Sequence, residues 1–134
     1  MNMKKFLLAS LVVFVTLQVF DYVIHNLLLG SVYESIQEVF RPDMMDKMWI
    51  MYLIGAIFSL LFVYIFTKGY EGKGITEGAK YGLIIGLFVS LVGSYSQYVV
   101  YPLPYSLALK WFLYGTIELI LAGIVAALIY KPSE

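Results

Sequence analysis

The sequence predicts an all-α integral membrane protein: a four-helix bundle made of two helical hairpins, with a short interfacial helix after the first span. Three observations carry this reading. Of the 134 residues, 61% are hydrophobic and only 13% charged, where an ordinary soluble domain has roughly a quarter of its residues charged. Four apolar runs, 6–29, 48–66, 79–101 and 107–130, are long enough to cross about 30 Å of hydrocarbon. The segments between them are short, so residues 1–134 read as a single domain.

The first run follows Lys4 and Lys5 and so imitates a secretory signal. It lacks a small-x-small cleavage site and exceeds a signal core in length, which makes it a retained helix. The stretch "SVYESIQEVFRPD" after it puts Val32, Ile36, Val39 and Phe40 on one helical face, and Pro42 ends the pattern. That face predicts a short helix lying on the outer membrane surface, with an irregular loop packed over the helix ends as the alternative. Between the second and third runs, "GYEGKGITEG" is rich in glycine but lacks the G-x-x-x-x-G-K-[ST] pattern of a phosphate loop, so it reads as a flexible link. "YPLPY" sets two prolines where no helix can continue, which predicts a tight connection between the third and fourth runs.

Orientation follows the basic residues. Lys4, Lys5, Lys68, Lys73, Lys80 and Lys131 fall on one side and Arg41, Lys47 and Lys110 on the other, six against three. The positive-inside rule then places both termini in the cytoplasm and the chain in the inner, cytoplasmic membrane as a multi-pass protein.

Helix packing also leaves a trace. Gly78, Gly82, Gly86, Ser90 and Ser94 recur at every fourth position of the third run, and Gly115, Gly123 and Ala127 answer them in the fourth. Small residues in register let another backbone approach closely. The tight connection makes the fourth helix the favoured neighbour, and a second copy of the third helix the alternative. Short echoes between the two halves, "FVTL" with "FVSL" and two Trp-x-x-Tyr pairs, fit either chance or a parallel duplication.

Charge inside the spans is the functional signal. On a helical wheel Phe14, Gln18, Asp21, Tyr22 and His25 share a face of the first helix. Tyr52 and Ser59 mark the second helix, Ser90, Ser94, Gln97 and Tyr101 the third, and Tyr114 and Glu118 stand one turn apart on the fourth. A carboxylate facing lipid is unfavourable by about 3 kcal/mol on insertion scales, so Asp21 and Glu118 are expected to face the interior. No lysine or arginine lies at their depth. Their expected partners are therefore His25, the tyrosine hydroxyls, Ser90, Ser94, Gln97 and water, at least one acid is expected to keep its proton, and Gln18, His25, Ser94, Gln97 and Tyr114 join the two acids as the expected site residues. Two roles follow for the acids: a proton- or cation-binding site, or a hydrogen-bond network that pins the helices. His25 alone also fits an interfacial or capping role.

Other classes are pruned by what the chain lacks. One histidine and no cysteine cannot supply both axial ligands of a haem, and no nucleophile elbow or H-E-x-x-H is present. We expect no metal, no cofactor and no catalysis. Zero net charge gives no pull toward nucleic acid.

"DYVIH", "RPD", "KGYEGKGITEGAKYGLIIGL" and "IELILAGIVAALIYKP" together resemble a family of small four-helix bacterial membrane proteins with no assigned activity. The resemblance covers most of the chain, implies the same four-helix architecture and carries over no catalytic residue. The chain departs from small multidrug-resistance transporters, which place their glutamate in the first helix, where this chain has Asp21 toward the outer half. Two functions remain: a binding or transport protein, expected as a homo-oligomer in the bilayer, or an accessory subunit of a larger membrane complex.

Overall fold

The computed structural model describes residues 1–131. Helix α1 spans Met3–Tyr22 and runs on into a π-helical turn, Val23–Leu28. A short α2 follows at Gly30–Ser35, then α3 at Met48–Gly69, α4 at Ile75–Val100 and α5 at Tyr105–Ile129. The described residues contain no strand, and four helices are long and apolar enough to cross a membrane. Each begins or ends where the sequence supplies a reason. Asn2 caps α1 by accepting the Lys5 N–H at 3.1 Å. Pro104, fixed near φ −61°, sets the entry to α5.

Helix α5 is the hub. Of its most apolar stretch 39% is buried, against 17% for α4, and it packs along both α4 and α1. Helix α1 also packs on α3. Ala9, Val13 and Leu17 of α1, Phe62, Val63 and Phe66 of α3, and Leu119, Ala122, Ala126 and Ala127 of α5 form the inner core. Helices α3 and α4 meet through Tyr81, whose ring packs on Phe62 and Phe66 and whose hydroxyl donates to the Phe62 carbonyl.

The small-residue ridge meets α5 within the chain. The buried residues of α4 are Gly78, Gly82, Gly86, Ser90 and Ser94, the whole of the ridge. A methyl group at Gly78 would collide with the Gly123 carbonyl, and one at Gly82 with the Leu119 carbonyl. At Gly86 the approach is looser, 3.1 Å from Thr116 Cα. On α5, a methyl at Gly123 would strike the Gly78 carbonyl and one at Gly115 would lie 2.5 Å from Ser90 Oγ. Backbone contact this close is open only to residues without a side chain.

Two connections differ from the sequence reading. The segment after the first span is not one helix: α2 stops at Ser35, Ile36 breaks it at φ −129° and ψ 31°, and a 3₁₀ turn carries Gln37–Val39. The break lets the segment fold over the helix ends. Ile36 is buried with Leu29, Leu103 and Leu107, and Val32, Val39 and Phe40 pack on them. The apolar face exists, but it covers protein. The glycine-rich link is likewise a pinned turn. Gly72 and Gly74 hold φ of 75° and 81°, a region that disfavours side chains. The Glu77 carboxylate accepts from the backbone N–H of Glu71 at 2.7 Å and of Lys73 at 2.9 Å. Lys73 in turn pairs with Glu71, holding that exposed carboxyl below its ordinary range by hydrogen bond and charge.

Candidate functional site

The π-helical turn at the end of α1 positions the site. Its defining bond runs from the Leu29 N–H to the Ile24 carbonyl, 2.9 Å, one residue beyond an α-helical bond. In an α-helix Ile24 and Leu29 would point about 140° apart. The wider turn lets both enter one apolar cluster with Leu103 and Leu107. It carries His25 with it.

Helices α1 and α4 both lean on α5 without packing extensively on each other. A cleft of about 360 Å³ lies between the π-turn that follows α1, α4 and α5. Helix α5 contributes Trp111, Tyr114, Gly115 and Glu118, α4 contributes Ser90, Gly93, Ser94 and Gln97, and the π-turn contributes Ile24 and His25. The near-contact of Gly115 with Ser90 draws α4 and α5 together at the cleft wall. No lysine or arginine lines it.

Glu118 is buried, 9% exposed, and its carboxyl is paired with that of Asp21 across the α1–α5 contact. Two carboxyl groups brought together with no cation between them can hydrogen-bond only if one of them carries a proton, because two carboxylates present acceptors alone. The acids reach each other from α1 and α5, so the pair also ties those helices together.

A second polar chain joins α5, α2 and the π-turn. The Trp111 Nε1–H donates to the Tyr33 hydroxyl at 2.7 Å, and that hydroxyl lies 2.7 Å from His25 Nδ1. The Tyr33 ring stacks on His25 with centroids 5.9 Å apart and meets Phe40 edge-on. Burial pushes the Tyr33 hydroxyl above its usual pKa, and the Trp111 N–H opposes this. The phenol therefore stays protonated and able to donate.

Five of the seven sequence-predicted site residues, His25, Ser94, Gln97, Tyr114 and Glu118, line one cleft, and Asp21 joins them through Glu118. Gln18 does not. With Phe14 it packs toward α3, where a Cβ on Gly55 would meet Gln18 Nε2 at 3.0 Å. The polar stripe of α1 divides because α1 is wedged between two neighbours: Phe14 and Gln18 go to α3, and Asp21 goes to α5. Asp21 is paired with Glu118 and His25 is hydrogen-bonded to Tyr33, so the two residues one turn apart serve different partners. Tyr33 and Trp111 were not singled out as site residues from sequence. Trp111 stood out only as half of a repeated Trp-x-x-Tyr, and Tyr33 lies off the apolar face of its segment. Among the described residues, no three of His, Cys, Asp and Glu come close enough to share a metal ion.

No protein-family model, curated protein or solved structure matches this chain.

Proposed function

We propose that this chain is a small polytopic membrane protein whose cleft binds, and passes across the bilayer, a proton, a cation or a small solute. The observation that carries the reading is the pairing of the Asp21 and Glu118 carboxyls at a cleft that no lysine or arginine lines. A pair holding one proton carries a single negative charge. Replacing that proton by a monovalent cation leaves the total charge unchanged, so the exchange avoids placing a second charge in a medium where each is unfavourable by about 3 kcal/mol. Ser90, Ser94, Gln97 and Tyr114 supply donors and acceptors around the pair. The role is non-catalytic.

The wider architecture belongs to the same proposal. The packing of α1 on α3 and of α4 on α5 supports a four-helix bundle of two hairpins, in keeping with the small four-helix bacterial proteins the sequence resembles. Both termini are cytoplasmic, and the membrane is the bacterial inner membrane. The cleft has walls from only three helices and is open on its α1–α4 side, which supports a homo-oligomer as the working form. A second reading rests on that same side. Gly93 and Gln97 line the cleft yet stay exposed, where an accessory subunit would seat against a larger complex.

Infrared spectroscopy of the purified chain tests the site directly. The C=O stretch of a protonated carboxyl should be present near neutral pH and vanish in both Asp21→Asn and Glu118→Gln. Proteoliposomes bearing an internal pH indicator should then show proton or cation-coupled flux in the wild type alone. A missing carboxyl band removes the exchangeable proton and with it the proposal. A band without flux favours the accessory reading.

A further inference from the structure

The Trp111–Tyr33–His25 chain does more than fill the outer end of the cleft. A phenol O–H lies in the ring plane, with its proton on one side of the oxygen and its best acceptor direction on the other. An indole N–H can only donate, so Trp111 occupies the acceptor side of Tyr33 at 2.7 Å. The Tyr33 proton then faces His25 Nδ1, also 2.7 Å away, and Nδ1 must receive it. This places the imidazole hydrogen on Nε2. His25 accordingly offers the cleft a donor, never an acceptor, while its ring is neutral.

We propose that Tyr33 is a proton-sensitive clasp across the outer mouth of the cleft. His25 and Trp111 stand on the π-turn and on α5, and both line the cleft. Tyr33 comes from α2 and bonds to both, so it fixes their separation. If His25 takes up a proton, Nδ1 becomes a donor and meets the Tyr33 proton head-on. Turning that proton over sets it against the Trp111 N–H. One of the two bonds must loosen, and the mouth widens. The titratable groups around the imidazole are Tyr33 from α2, Asp21 from its own helix, and Glu118 and Tyr114 from α5, while α4 presents the uncharged Ser94 and Gln97. No cationic side chain lines the cleft to repel a charge on the imidazole. The clasp regulates the cleft assigned above, and rests on that reading only for what it admits.

The chain has one histidine and no cysteine, which makes the test clean. Imidazole nitrogen NMR of the full chain, above the pH at which the ring titrates, should show the Nε2–H tautomer alone in the wild type and a mixture in Tyr33→Phe. Trp111→Phe removes the other bond and serves as an independent second variant, expected to mix the tautomers as well. A single cysteine in place of Ser94, buried in the cleft wall, should react with a small thiosulfonate reagent several-fold faster as pH falls through the imidazole titration. Its rate is to be taken relative to a cysteine at exposed Ser96, which cancels the reagent's own pH dependence. In Tyr33→Phe the ratio should stay at its high value at every pH. An unchanged tautomer in both variants overturns the clasp, as does a wild-type ratio that stays flat while the imidazole titrates. Loss of the Asp21–Glu118 carboxyl band with these responses intact overturns the binding-site reading and leaves the clasp standing.

Discussion

The backbone of α4 at Gly82 rests against the carbonyl oxygen of Leu119 on α5, closer than any side chain would permit. Gly86, one turn away, leaves a Cβ 3.1 Å from Thr116 Cα, tight but short of a collision. The two glycines should therefore respond differently to the same change. Gly82→Ala is expected to destabilise by about 1–3 kcal/mol, the usual range for an overpacked contact. Gly86→Ala should fall below it, at under about 1 kcal/mol. Unfolding in mixed micelles followed by circular dichroism measures both, and equal effects would mean that the ridge does not grip α5 as described.

The glycine-rich turn carries a second expectation. Glu77 accepts from two backbone N–H groups at 2.7 and 2.9 Å. Glu77→Gln keeps one acceptor oxygen and loses the other, at a cost of about 1 kcal/mol confined to the turn. Trypsin should then cut after Lys73 several-fold faster while the melting temperature barely moves. An unchanged cleavage rate would show that the glycines alone hold the loop.

Orientation is checked with single cysteines, since the chain has none of its own. Ser35 and Lys73 are both exposed and lie in different connections. In intact cells a membrane-impermeant thiol reagent should label a cysteine at position 35 and spare one at position 73, as six basic residues against three require. Labelling of both from outside contradicts the four-span topology.

What could be read in advance depended on periodicity. The four spans and the ridge from Gly78 to Ser94 repeat at helical spacing, so the sequence alone places them, and the buried face of α4 matches the ridge residue for residue. That Asp21 and Glu118 turn away from lipid follows from the cost of a bare carboxylate there, and the two side chains come together between α1 and α5. What stayed hidden depended on departures from the α-helical period. A wheel drawn at a constant 100° per residue cannot foresee a π-turn at Val23–Leu28. The division of the α1 stripe, with Gln18 turned toward α3 and Asp21 toward α5, depends instead on which helices flank α1. The partnership of Tyr33 with Trp111 joins residues 78 positions apart across a segment broken at Ile36, and no local pattern encodes such a bond.

The last prediction separates the two roles open to the acids. Asparagine and glutamine keep the shape and most of the hydrogen-bonding capacity of Asp21 and Glu118, yet cannot exchange a proton. Asp21→Asn and Glu118→Gln should therefore hold stability close to wild type, because an amide can still bond to the remaining carboxyl across the α1–α5 contact. Either one should abolish pH-dependent uptake in proteoliposomes. Alanine removes the bond itself and, in Glu118→Ala, opens space beside a residue only 9% exposed. Those variants should lose about 1 kcal/mol, the scale of an intramembrane hydrogen bond. A pair that serves only as structural glue behaves otherwise: the amides pass every assay and alanine alone has an effect. Measuring unfolding and flux on the same four variants decides between them, and amides that fold normally but retain full pH-dependent flux would remove the carboxyl pair from the mechanism.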